Sequence, residues 1–179
     1  MEMKHIDGGV GPAADAELFA AVNHWLSLEA ELLDDRRERE WLEHMVSKSI
    51  VYQVPVRITV ERARGSGFCD STFHLDERYG SLNARIARNE SGYAWAEDPP
   101  SRCRHFVSNV RVGRSVDNAI KVRSNVLIYR TRQDQTSPQI LSGERQDVLN
   151  VEQDELRLSR RLVLLDLTAI ASHNLSLIF

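Results

Sequence analysis

The chain has 179 residues, 42% of them apolar and 27% charged, which favours one soluble domain with a sizeable core. Its net charge of −3 argues against a nucleic-acid partner, and no apolar run approaches the ~18 residues that a membrane span needs. Two cysteines exclude a disulfide framework and no secretory signal opens the chain, so a reducing cytoplasm is the expected setting.

Residues 1–12, with Gly8, Gly9 and Gly11, read as a flexible lead-in to a single domain over 13–179. A first helix is predicted from about Asp15 to Leu33, with Leu18, Val22, Trp25, Leu26 and Leu32 on one face. Glu29 falls on that same apolar face, where a charge is unexpected. Asp35 followed by Glu38 has the spacing of a capping box and predicts a second helix carrying Trp41, Leu42 and Met45. From Ile50 to Val60 the period changes to two, placing Ile50, Tyr52, Val54, Val56, Ile58 and Val60 on one face of a long strand. Pro55 marks an edge or a bulge in that strand.

"RARGSGFCDS" is expected to be loop, and Asp76 to Arg88 a third helix with Tyr79, Leu82 and Ile86 inward. Beyond Pro99 and Pro100 the pattern is all strand. Arg104–Val112 alternates, with Phe106, Val110 and Val112 on one side and His105, Val107 and Asn109 on the other. A turn at Asp117-Asn118 leads to Ile120–Arg132, where Val122, Val126 and Ile128 share a face. Strands at Gln139–Leu149 and Leu156–Leu167 follow, joined by "VEQDE". Helices followed by a run of long antiparallel strands give an α+β pattern, met most simply by one curved sheet wrapped around the helices.

Cys103-Arg104-His105 is the first half of a Rieske iron–sulfur motif, which also needs a later Cys-x-x-His. No cysteine follows Cys103, and His74 stands five positions after Cys69, so the motif cannot be completed. The six histidines include no His-x-x-x-His pair, and Glu40 with His44 reads as a surface contact one helical turn apart. P-loop, Gly-x-Ser-x-Gly and Gly-x-Gly-x-x-Gly motifs are absent. One constellation remains: Glu29, Tyr52 and His105 on or near apolar faces. A buried carboxylate beside a histidine is suited to proton transfer, whereas a buried Glu that accepts arginine hydrogen bonds only fixes packing. Arginines outnumber lysines 20 to 3. Two readings stand: buried or interfacial ion pairs, which suit the weakly hydrated guanidinium, or the codon bias of a GC-rich genome. Arg145, Arg160 and Arg161, with Asp166, are the candidates for structural or subunit-interface pairs.

Several blocks run in order across nearly the whole chain after residue 28. They are "EAELLDDRREREWLEHM", "YQVPVR", "DERYGSLNARIAR", "WAEDPPSRCRHFVSNVRV", "VRSNVLIYRTR", "GERQDVL", "LSRRLVLLDLTAI" and "HNLSLIF". In these blocks the chain resembles the small (beta) subunit of bacterial aromatic-ring-hydroxylating dioxygenases. The resemblance implies a cone-shaped α+β fold of the cystatin/nuclear-transport-factor-2 type. It implies no metal or cofactor in this chain, with the Rieske [2Fe-2S] cluster and mononuclear Fe(II) in a large (alpha) partner subunit. A hexamer of three alpha and three beta subunits is implied, its beta subunits forming a trimer, with electrons from NAD(P)H through a reductase and ferredoxin. The product would be an arene cis-dihydrodiol. The same fold also hosts stand-alone dehydratases and isomerases, in which Glu29, Tyr52 and His105 would act as acid–base groups within the cone.

Overall fold

A computed structural model describes residues 16–61, 66–91, 99–115, 119–170 and 177–179. The expected lead-in at 1–12, the turn at Asp117-Asn118, His5 and His173 lie outside the described residues. Helix α1 (Ala16–Asp34) buries Leu18, Val22, Trp25, Leu26, Glu29, Leu32 and Leu33, one stripe at three- and four-residue spacing. It closes through Arg36, whose φ of 60° is left-handed, and the Arg37 N–H donates to the Leu32 carbonyl at 2.7 Å.

That closure uses up the residues expected to cap the second helix. Helix α2 (Glu38–His44) starts after Arg37 with no side-chain cap, so the capping box from Asp35 to Glu38 does not form. Arg37 instead forks onto Glu40 at 2.8 and 2.6 Å.

The strands are β1 (Val46–Arg57), β2 (Phe68–Glu77), β3 (Arg102–Arg114), β4 (Ile120–Thr131), β5 (Gln139–Glu152) and β6 (Glu155–Leu165), with α3 (Tyr79–Glu90) between β2 and β3. They form one six-stranded sheet in the order β2-β1-β6-β5-β4-β3. The sheet is not wholly antiparallel, because β1 pairs with β6 in parallel. Strand β2 replaces part of the expected loop. Its Asp76 and Glu77 pair with Gln53 and Tyr52, which delays α3 to Tyr79. Pro55 lies in an interior strand, where the register shifts on either side of it, so it marks a bulge and not an edge.

A second bulge, between Ser108 and Arg111, has Asn109 at φ 52°. The extra residue flips the phase of β3. Cys103, His105 and Val107 turn toward the core together with Val110 and Val112, while Phe106 points outward. Phe106 is therefore not on the side of Val110 and Val112 as the alternation suggested. Bulges bend a strand and sharpen its twist, and the sheet curls around the helices as a cone, with α1 against β3 and α3 against β1. Strand β4 alternates without a break, burying Ile120, Val122, Ser124, Val126, Ile128 and Arg130.

Gly143 sits where β5 meets β6. A Cβ there would lie 2.6 Å from the Leu164 carbonyl oxygen, and the obstacle is backbone. Gly143→Ala is expected to cost about 1–3 kcal/mol, the usual scale of overpacking. The check is a lower urea midpoint with unchanged slope.

Candidate functional site

The apolar face of α1 carries Glu29 into the middle of the cone, where it is fully buried. Its Oε1 accepts the Trp41 indole N–H at 3.0 Å. Its Oε2 accepts from Arg145 Nη1 at 3.0 Å and from Arg161 Nη2 at 2.8 Å. Arg145 and Asp147 lie on β5 in phase with Leu141 and Leu149, so the pleat delivers both charges to the interior. Arg161 is placed by β6, in phase with Val163 and Leu165. It holds Asp147 with two parallel hydrogen bonds of 2.9 and 2.8 Å, the bidentate geometry that favours arginine over lysine. Two carboxylates thus balance two guanidiniums with no net charge left over.

Burial pushes the Glu29 carboxyl up, but Arg161 and Arg145, helped by hydrogen bonds from Arg161 and Trp41, bring it below its ordinary value. Burial likewise opposes the Arg161 charge, yet Asp147 and Glu29 hold that guanidinium well above the usual arginine range. Arg145 is less well held. Burial and the nearby Arg161 push it down, and its Nη2 has no partner among the described residues. Burial pushes the Tyr52 hydroxyl up to about 12, so it serves as a neutral hydrogen-bonding group.

Residues 177–179 close the cone against this network. Tyr52 Oη accepts the Phe179 N–H at 2.8 Å, and the Phe179 oxygen receives Arg161 Nη1 at 2.7 Å with Tyr52 Oη at 3.2 Å. Phe179 itself is buried. On the other side of the segment, His105 Nε2 lies 3.0 Å from the Ile178 carbonyl, and its Nδ1 lies 2.6 Å from Asp34 Oδ1 at the end of α1.

The structure therefore brings Glu29, Tyr52 and His105 into one connected interior: Arg161 links the first two, and the 177–179 segment adds the third. Of the two roles considered for Arg145 and Arg161, structural or at a subunit interface, their place is the first: both are enclosed within the chain and pair with its own carboxylates. Arg160 is half-buried on β6, and burial pushes it down from its ordinary value. Asp166 is exposed, accepts Ser142 Oγ at 2.9 Å and lies 4.0 Å from Arg57. Glu40 pairs with Arg37 at 2.6 Å, and His44, one turn on, acts on it only as a weaker nearby charge. Cys103 and His105 share the inward face of β3, and both His105 ring nitrogens lie within hydrogen-bond distance of oxygens, Asp34 Oδ1 on one side and the Ile178 carbonyl on the other. Among the described residues no three His, Cys, Asp or Glu side chains gather as a metal site.

Asp34, Ile178 and Phe179 were not anticipated as parts of the site. Arg145 was among the arginines expected in structural pairs, and the two-residue period of β5 carries it and Asp147 inward with the apolar positions around them.

Residues 28–172 match the family profile described as Ring hydroxylating beta subunit. A chain of naphthalene 1,2-dioxygenase, solved with indole bound in its active site, superposes with a TM-score of 0.85 at 25% identity, covering 95% of this chain and 90% of that one. The beta subunit of benzoate 1,2-dioxygenase from Burkholderia mallei ATCC 23344 gives 0.64 at 20% identity, covering 92% and 93%. A protein from Novosphingobium aromaticivorans DSM 12444, assigned provisionally to the scytalone dehydratases, shares the fold with 0.62 at 12% identity, covering 88% and 90%.

Proposed function

This chain belongs to the ring hydroxylating beta subunit family, and from that premise we propose that it is the non-catalytic assembly subunit of an aromatic-ring dioxygenase. Its partner is an alpha subunit, with which it forms a hexamer of three alpha and three beta chains built on a beta trimer. The alpha subunit carries the Rieske cluster and the mononuclear iron. A reductase and ferredoxin deliver electrons from NAD(P)H in the cytoplasm, and the product is an arene cis-dihydrodiol.

The observation that carries this reading is the state of the cone interior. Each of the three candidate acid–base groups is committed to a partner inside the chain: Glu29 to Trp41 and two arginines, Tyr52 to Phe179, His105 to Asp34 and Ile178. In a stand-alone acid–base enzyme those groups would face substrate, and here the chain's own 177–179 segment takes that place. The outer face adds support. Phe106 pairs across the strands with Leu127, and Tyr129 with Ile140, so four exposed apolar side chains form one patch. Contiguous patches of this kind mark surfaces that meet other chains.

Co-expression with the alpha subunit tests the proposal, with light scattering to size the product. The chain alone is expected as a trimer or as poorly soluble material, and the co-expressed pair as a hexamer. Tyr52→Phe and His105→Ala are expected to lower the yield or melting temperature of that hexamer while turnover per iron stays near normal. An intact, fully metallated His105→Ala hexamer that loses ~100-fold or more, the scale of a removed acid–base group, would favour the enzyme reading.

A further inference from the structure

His105 poses a question of proton count. Nδ1 faces the Asp34 carboxylate at 2.6 Å and Nε2 faces the Ile178 carbonyl at 3.0 Å. A neutral imidazole has one N–H and one lone pair, while the imidazolium has two N–H groups. The neutral tautomer protonated at Nδ1 sets its lone pair against the Ile178 oxygen. The other sets its lone pair against Asp34. Only the imidazolium donates to both.

The surroundings suit that form. Asp34 Oδ1 also accepts the His105 main-chain N–H at 3.0 Å, and Arg104 Nη1 lies 3.3 Å from Oδ2. A carboxylate offers His105 only acceptors. The His105 side chain is 3% exposed and that of Asp34 10%, so water has little room to replace either contact.

We propose that His105 is a proton-dependent latch that fastens the buried 177–179 segment against the interior of the cone. The groups around it come from every packed element. Helix α1 supplies Asp34, and β3 supplies Arg104, which is largely exposed and therefore screened. Strand β4 sets Ile128 opposite His105 and carries Arg130 on the same face, held by Ser101 Oγ at 3.0 Å. The segment supplies the Ile178 carbonyl and is gripped from its far side by Tyr52 and Arg161. Loss of the proton leaves an oxygen and a ring nitrogen facing each other through lone pairs, and one side of the grip is released. "RHFVSNV" and "LIF", from two of the blocks that carry the family resemblance, meet at this contact.

Hydrogen exchange read by mass spectrometry, on the full chain alone and with its alpha subunit, tests the latch. Exchange of peptides that contain Phe179 is followed from about pH 5 to 8, the range in which histidines titrate, after correction for intrinsic rates. Protection of these peptides is expected to fall as pH rises, by up to about tenfold per pH unit for a single linked proton, while peptides from β5 keep theirs. Asp34→Asn, which replaces the carboxylate that faces Nδ1, is expected to weaken protection at the acidic end and so change the profile, and His105→Gln to leave weak protection that no longer depends on pH. Protection in the wild-type chain that is flat across the range overturns the proposal, and so does a pH profile unchanged in a folded Asp34→Asn variant.

Discussion

Glu29→Leu is expected to destabilise the chain by about 3–5 kcal/mol, the scale seen when one partner is removed from a buried ion pair. Glu29 and Asp147 balance Arg145 and Arg161 in a fully enclosed cluster. Without Glu29 a net positive charge stays in the interior, and the Trp41 N–H loses its acceptor. In a domain of this size the loss corresponds to a melting temperature lower by roughly 6–20 °C. Adding Arg145→Met restores the charge balance with an unbranched apolar side chain, so the double variant is expected to recover part of the loss. The measurement is urea unfolding of the single and double variants. A cost under about 1 kcal/mol for Glu29→Leu, within the range of exposed pairs, would mean that water reaches the cluster.

The same cluster fixes the sign of the acid response. Folding holds the Glu29 carboxyl below its ordinary value. Its contribution is therefore fully present above the unfolded carboxylate value of about 4.3 and is lost as pH falls through the folded one. Stability should drop steeply below about pH 4, and Glu29→Leu should flatten that limb of the curve.

Phe179→Ala is expected to cost about 3–5 kcal/mol, as for a core aromatic. The ring is buried within the main apolar cluster, and its backbone is tied to Tyr52 and Arg161. Truncation leaves those hydrogen bonds in place but empties the space under them. Thermal unfolding followed by circular dichroism checks this. A loss under about 0.5 kcal/mol, ordinary for a surface position, would show that the segment contributes nothing to the core.

Much of this was legible because it is local. A period of 3.6 in α1 and of two in β4 states which face is inward, and Glu29 stands out on the first because its neighbours at three and four positions are apolar. Strand β2 was hidden for a physical reason. Its Phe68, Phe73 and Leu75 do not keep one phase, since the pairing with β1 shifts register around Pro55. The phase of β3 was lost in the same way at Asn109, where one extra residue sends Phe106 outward and keeps His105 inward with Val110. A bulge is set by what the partner strand demands, and periodicity alone does not record it.

The sequence by itself determined the order of the elements other than β2, the α+β class, the inward placement of Glu29 and the incompleteness of the Rieske motif. Each depends on spacing along a single stretch of chain. Only the tertiary structure decided what those residues do. Arg145 and Arg161 stand 116 and 132 positions from Glu29, and Phe179 stands 127 from Tyr52. The parallel pairing of β1 with β6 and the curl of the sheet bring these distant groups together. Burial then dictates the outcome, because a charge taken from water must find its opposite within hydrogen-bond reach, and here the chain supplies that opposite itself.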